Sequence, residues 1–447
     1  MTHTNRNKYL YIIIFSFILF GNCNEHIYQY LLVPHEWIIL ITFTLLSMES
    51  FLLKPNKFII TWVDKIFFIY LLSVVILPVL ANINDLLVSN NAHIFVLFYP
   101  IKIWMVYRIF LFILMRNNSI DTDILKKQID FILNIILLFS IISGFIGLLR
   151  YVGPDEIISF INYNWPIKGV PDFDYRAWKR LVGTMSGTNG GGIFFVICAI
   201  ISLFKLGKYK KYRFLMYSIF FSFLALLTGS FTATIMLVVC LPYYLHKSKM
   251  LQTKHAIVFL LISVIFFILA INLNPTKILL YNVIERRGKQ FKSPGGGIRV
   301  HIPASFQGRY RDWILFYKYF EEKPLLGFGF KEGAIGGQDI SARSTLSENY
   351  YVELLIYSGI IGLSAYILMM LIIFRKLKRL KQFTEERTLI KTIIYIYLIT
   401  QITQLTLYYT GFAEFFGIML ALIFMMCKID KTLLPVTLTP VARPFSN

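Results

Sequence analysis

The chain has 447 residues, of which 57% are hydrophobic, 17% aromatic and only 15% charged, with a mean hydropathy of +0.64 and a formal net charge of +21. A soluble domain usually carries about 25% charged residues, so the composition argues against a soluble enzyme, a secreted disulfide scaffold, a disordered chain and a DNA-binding domain. The basic excess is spread among short connections between apolar blocks of about 20 residues, the length that crosses a bilayer core as a helix. That is the pattern of an all-α polytopic membrane protein under the positive-inside rule, and no nucleic-acid partner is expected.

Twelve spans are predicted, near 9–23, 35–53, 59–81, 93–115, 129–149, 184–204, 214–228, 231–246, 255–272, 349–374, 392–410 and 411–427. Only helices satisfy the backbone across lipid in a chain patterned this way, and no ten-residue alternation suggests a barrel. The run from Tyr9 to Gly21 lacks a small-x-small cleavage site and is expected to stay as the first span. Cys23, Cys198, Cys240 and Cys427 lie in or beside apolar stretches without a C-x-x-C pair, so they read as small buried residues and not as metal or redox ligands.

Lysine and arginine fall on alternate connections. One set carries Arg6 and Lys8, Lys54 and Lys57, Arg116 to Lys127, Lys205 to Arg213, Lys247 to Lys254, and Arg375 to Lys391. The other short connections, near 24–34, 82–92, 229–230 and 411, hold none. Both termini are therefore expected in the cytoplasm. Residues 150–183 and 273–348 form two long outer connections, and long loops in a compact protein are usually functional. Within the second, Arg309 to Lys323 reads as an interfacial helix stopped by Pro324, with glycine-rich turns before and after it.

Four clusters could carry chemistry. Arg176 and Arg180 run into Gly183 and the glycine-rich stretch Ser186 to Gly192, which contains Asn189. A helix N-terminus beside arginine suits a phosphate, while glycines for helix packing are the plain alternative. Arg309 and Arg311 open the predicted outer helix, in a connection whose net charge is about +5. They suit a pyrophosphate or a solvated face equally. Glu348, Asn349, Tyr350 and Glu353 sit at the entry to the tenth span, followed by Gly359 and Gly362, which read as packing glycines. A carboxylate there could accept a proton from a sugar hydroxyl, or simply favour a helix N-terminus. Last, Asp64 and Lys65 are expected at an interface. Lys102 and Arg108, within the fourth span, are candidates to line an anionic lipid headgroup, and Glu414 is an isolated acid. The histidines show no metal-ligand spacing, so neither metal nor cofactor is expected.

Gly308-Arg309-x-x-x-Trp313, Lys323-Pro-Leu-Leu-Gly-Phe-Gly-Phe330, Glu348-Asn349-Tyr350 and Gly359-Ile-Ile-Gly362 together resemble the O-antigen ligase/polymerase family. Arg180-Leu-Val-Gly183 with Asn189 resembles the family's earlier R-x-x-G block. The resemblance implies a membrane glycosyltransferase (GT-C-like) fold with a large outer loop. It also implies a substrate pair: a donor and an acceptor oligosaccharide, each on undecaprenyl diphosphate, at the outer face of a bacterial inner membrane. The family match falls on Arg180 and Arg309, which would steady the leaving diphosphate, while Arg176 and Arg311 are added on chemistry alone. Glu348 stands where the family's ligases place histidine, which points to polymerase and makes Glu348 the expected base. A chain-length regulator protein is a further partner of such enzymes. The alternatives are ligation of glycan to lipid A core, and transport of the lipid-linked sugar. A transporter would show related halves and broken mid-membrane helices, and the sequence signals neither.

Overall fold

The computed structural model describes residues 3–19, 34–53, 60–82, 94–115, 121–164, 181, 183–184, 187–250, 320–329, 349–402 and 411–432. All regular structure among them is helical. The helices are α1 (His3–Leu19), α2 (Pro34–Leu53), α3 (Trp62–Ala81), α4 (Ile94–Met115), α5 (Thr122–Val152), α6 (Asp155–Asn164), α7 (Gly187–Tyr209), α8 (Tyr212–Leu227), α9 (Phe231–Lys247), α10 (Tyr350–Arg379), α11 (Thr384–Thr400) and α12 (Phe412–Thr432). A helix lies over every predicted span except 255–272, which falls outside the described residues. α3, α5, α7, α10 and α12 are long and apolar enough to cross a membrane. The chain is a multi-pass membrane protein.

α7 and α12 form the interior. Of the apolar stretch of each, 89% is buried, as expected of helices that are hydrophobic all round. α7 packs against α5, α8, α9 and α11, and α12 against α4, α5 and α10. The outer helices keep one apolar stripe uncovered at helical spacing: Trp37, Ile41, Leu45 and Met48 on α2, and Leu138, Ile142, Phe145 and Leu149 on α5. Such stripes are the faces that lipid covers.

Sequence explains most ends. Asp121 caps α5 by accepting from the N–H of Ile124 at 2.7 Å, and Ser230 caps α9 after the tight turn at Gly229. α6 lies within the connection 150–183, for which the sequence predicts no helix. Its signal was present: Pro154 precedes Asp155 and Glu156 in the first turn, ahead of an apolar run. The predicted helix over 309–323 is described only at its end. Phe320 to Glu322 are helical and the chain turns at Pro324 as expected.

The largest departure from expectation is in α10. Gly359 has φ +60° and ψ −163°, a conformation essentially confined to glycine, and it breaks the helix. An intact helix would bond the N–H of Ile360 to the carbonyl of Ile356, and that of Ile361 to Tyr357. Instead the segment 324–329 is inserted between them. Phe328 and Gly329 donate to the carbonyls of Ile356 and Tyr357 at 2.8 and 2.9 Å. Ile360 and Ile361 donate to the carbonyls of Pro324 and Leu325 at 2.9 and 3.3 Å. The expectation that no spanning helix is broken is thereby corrected. Gly359 does more than ease packing, whereas Gly362 keeps that role, with a β-carbon there meeting the side chains of Ser358 and Val74. A β-carbon at Gly359 would stand 2.3 Å from the Leu325 carbonyl, and one at Gly327 would stand 2.4 Å from that of Ile356.

The same segment is tied on its other side to the end of α3. The Lys323 ammonium donates to Asn82 Oδ1 at 2.5 Å, and Asn82 Nδ2 donates to the carbonyls of Pro78 at 2.8 Å and Gly327 at 3.2 Å. α3 itself carries a π-helical turn, Leu72–Ile76, which packs on α10. Gly359→Ala and Gly327→Ala should each lower stability by about 2 kcal/mol or more, from left-handed strain plus collision with a backbone. Thermal unfolding in detergent checks this against Gly191→Ala, whose β-carbon meets nothing within 4 Å and which should be neutral.

Candidate functional site

α10 begins at the residues that the sequence singles out. Asn349 is its N-cap, with Oδ1 accepting from the N–H of Tyr351 at 3.0 Å and of Val352 at 3.2 Å. This is a capping duty that an asparagine performs well, while the helix-end role weighed for Glu348 lies outside the described residues. Tyr350 is buried. Its N–H donates to the carbonyl of Gln401 at 2.9 Å, and its hydroxyl meets that of Tyr70 at 2.7 Å. Tyr366 lies edge-on to Tyr350 and bonds the Gln401 side chain at 2.5 Å. This tyrosine cluster pins the entry of α10 to α3 and to the end of α11.

Glu353, one turn deeper, is 1% exposed, and neither carboxylate oxygen has a hydrogen-bond partner among the described residues. That sets it apart. An uncompensated buried carboxylate costs several kcal/mol, so each such group in a native fold calls for an explanation.

The other buried carboxylates among the described residues are matched. Asp64 accepts from Thr61 in a capping box, receives the Arg108 guanidinium at 2.8 Å, and receives the Trp104 indole N–H at 3.0 Å. Lys102 is fully buried and lies 3.0 Å from both Glu36 and Glu414. Glu414 also accepts from the N–H of Gly411 at 2.8 Å. These contacts overturn one reading. Asp64, in the first turn of α3, is buried in an ion pair while its neighbour Lys65 is exposed. Lys102 and Arg108 are engaged by carboxylates of the chain itself, which removes them as headgroup ligands. Sequence reasoning missed a further cluster. Asp130 on α5 receives Lys205 at 2.9 Å, Lys208 at 2.6 Å and the Tyr209 hydroxyl from α7, and Lys208 stands 4.0 Å from Glu386 on α11. The Lys205-x-x-Lys208 spacing on one helix face, one turn apart, was the available signal.

Asn349, Tyr350 and Glu353 are thus brought together at the start of α10. Asn189 is half-buried in the first turn of α7. Gly192 lets that turn approach the α8–α9 connection, since a β-carbon there would lie 2.6 Å from Thr228 Oγ1. The packing reading of these glycines therefore holds at Gly192. Arg176, Arg180, Arg309, Arg311 and Glu348 lie outside the described residues. The chain just after Arg180 is firmly seated. Leu181 is fully buried and donates its N–H to the carbonyl of Leu227 at 3.0 Å, and the Thr184 hydroxyl bridges the carbonyl of Ile18 and Ser143 Oγ at 2.5 and 2.7 Å.

No curated protein matches the chain significantly. Residues 216–367, about a third of the chain, match the family model described as O-antigen ligase. The match takes in the Arg309 block, the segment inserted at Gly359 and the start of α10, and leaves out Arg180 and Asn189. The match supports membership of the O-antigen ligase/polymerase family and, with it, a ligase/polymerase-type function in surface polysaccharide synthesis.

Proposed function

We propose that the protein is an O-antigen polymerase with a membrane glycosyltransferase (GT-C-like) fold of about twelve spans. It transfers a growing glycan from undecaprenyl diphosphate to the nonreducing-end hydroxyl of a second lipid-linked repeat unit, at the outer face of the bacterial inner membrane. The observation that carries the reading is the family match over the very segment that joins the Arg309 block to α10. The insertion at Gly359 ties the chain only 15 residues after Arg309 to the helix that opens with Glu348-Asn349. Arginine forks grip diphosphate oxygens bidentately and steady the charge that develops on the leaving group.

In this reading the acceptor hydroxyl oxygen attacks the anomeric carbon of the donor. The bond to diphosphate breaks, the electron pair leaves with the lipid diphosphate, and the hydroxyl proton passes to Glu348. Ligation to lipid A core is the second reading, favoured by the description of the matched family and opposed by glutamate where ligases carry histidine. Transport gains one feature, the broken α10. That break is filled by the chain's own backbone, which leaves its polar groups bonded instead of open to a cargo.

The surface glycan of a deletion strain separates these readings. A single repeat unit on complete core is expected. Bare core with polymer accumulating on the carrier lipid would make the protein a ligase, and unchanged glycan would refute both.

Arg180→Lys and Arg309→Lys should each lose polymer by on the order of 10²-fold or more while inserting normally, because a point charge does not replace a planar fork. Immunoblots of polymer length at matched expression check this.

Glu348→Gln keeps shape but removes basicity, and should abolish polymer, a loss of about 10²- to 10⁴-fold. Glu353→Gln should be milder. Transfer assays with purified enzyme decide, and a dead Glu353→Gln beside an active Glu348→Gln would move the base one turn deeper.

A further inference from the structure

At the opposite end of the bundle, α7 passes into α8 through Lys210 and Lys211, and α9 ends at Lys247 to Met250. The two turns are neighbours, since a β-carbon on Gly207 would lie 3.3 Å from Met250 Sδ. Lys210, Lys211, Arg213, Lys247 and Lys249 are all exposed. None of the five is within 4.0 Å of a carboxylate among the described residues, in contrast to Lys208, which is held by Asp130. A cationic rim of this kind is commonly no more than a solvated face, but two further features distinguish it.

The first is backbone strain. Lys210 has φ +55° and Lys249 φ +58°, and among the described residues they are the two non-glycine residues with positive φ. Each ends a helix in the left-handed conformation: the N–H of Lys210 bonds the carbonyl of Leu206, and that of Lys249 the carbonyl of His246. Glycine fills such positions without strain, and a side chain with a β-carbon does not. Both turns retain lysine, and both lysines are exposed. The second feature is what lies next to the rim. Tyr212 is 82% exposed between Lys211 and Arg213, and Met216, Ile219 and Phe223 continue from it along α8 as an uncovered apolar stripe. The Arg213 guanidinium lies over the ring of its buried neighbour Phe214, 4.9 Å from the centroid.

We propose that these two turns form a binding site for an anionic phospholipid. The cations take the phosphate-bearing headgroup, Tyr212 marks the polar boundary, and the acyl chains run along Met216, Ile219 and Phe223. An anionic headgroup answers the charge, and continuity with the stripe selects a molecule that has tails as well as a phosphate.

The test uses the full-length protein in mild detergent with an equimolar mixture of phosphatidylglycerol and phosphatidylethanolamine, read by native mass spectrometry alongside thermal unfolding. The wild type should retain phosphatidylglycerol selectively. The double variant Lys210→Gly/Lys249→Gly should unfold at the same temperature or higher, yet lose that retention by about fivefold per cation removed, the equivalent of ~1 kcal/mol for one basic residue near an anionic surface. Lys211→Gln/Arg213→Gln, which leaves both left-handed positions alone, should show a like loss, and Lys210→Arg/Lys249→Arg should keep the lipid. Equal retention of the two lipids by the wild type, or undiminished phosphatidylglycerol on both neutral variants, would overturn the proposal. So would displacement of the lipid by inorganic phosphate at equal concentration, since a bare anion site needs no tails.

Discussion

The architecture around the candidate site depends on one backbone substitution: two rungs of the α10 ladder are replaced by four bonds to residues 324–329. At membrane depth an unsatisfied peptide group costs several kcal/mol, so a helix can be broken there only where something else supplies its donors and acceptors. Here the supplier is the segment that follows the predicted outer helix. The repair needs glycine on both partners, because the backbones approach too closely for a β-carbon at Gly327 or Gly359. The P-L-L-G-F-G and G-x-x-G blocks, about thirty residues apart in sequence, are two halves of one joint. With Asn82 and Lys323 closing its far side, the joint holds the end of α3, the segment 324–329 and the first turns of α10 as one unit.

Charge is distributed by a stricter rule than exposure alone would give. Among the described residues, most buried charged side chains lie in two groups that cross-link helices, while Arg150 bonds Asn162 nearby in sequence. One joins α2, α3, α4 and α12 through Asp64–Arg108 and Glu36–Lys102–Glu414. The other joins α5, α7 and α11 through Asp130 and its lysines. Removing one partner of such a pair strands the other, at about 3–5 kcal/mol. Glu353 stands outside both groups, buried at the start of α10 one turn below Asn349 and Tyr350.

Much of this was legible in the sequence. Helix positions followed from apolar blocks of membrane length, and α10 starts one residue after the asparagine that caps it. Pro324 stopping a helix was readable because proline cannot continue one. Other features resisted for physical reasons. The break at Gly359 leaves no compositional trace, since its flanks, Tyr357-Ser358 and Ile360-Ile361, suit a continuous helix, and only the distant insertion makes it stable. Lys102 looked available to a ligand because its partners are 66 residues before it and 312 after it, and side-chain pairing at such separations has no local signature. α6 is short, and although Pro154-Asp155-Glu156 marks its start, the length of the connection and its charge, proline and glycine read equally as an irregular loop.

The Lys102 arrangement bears on how the protein is made. A chain enters the membrane from its N-terminus as it is synthesised, so α4 arrives with an ammonium group that Glu36 on α2 can already meet, whereas Glu414 does not yet exist. Until α12 is delivered, α4 has a one-to-one ion pair and an open flank. Once α12 docks, its glutamate completes the second contact on the same ammonium, while Gly417 presses against the backbone of α4 near Ile103. The order of arrival therefore sets the balance of the site: Glu36 alone matches the ammonium one to one, and Glu414 turns the pair into one cation shared by two carboxylates, which ties α2, α4 and α12 together.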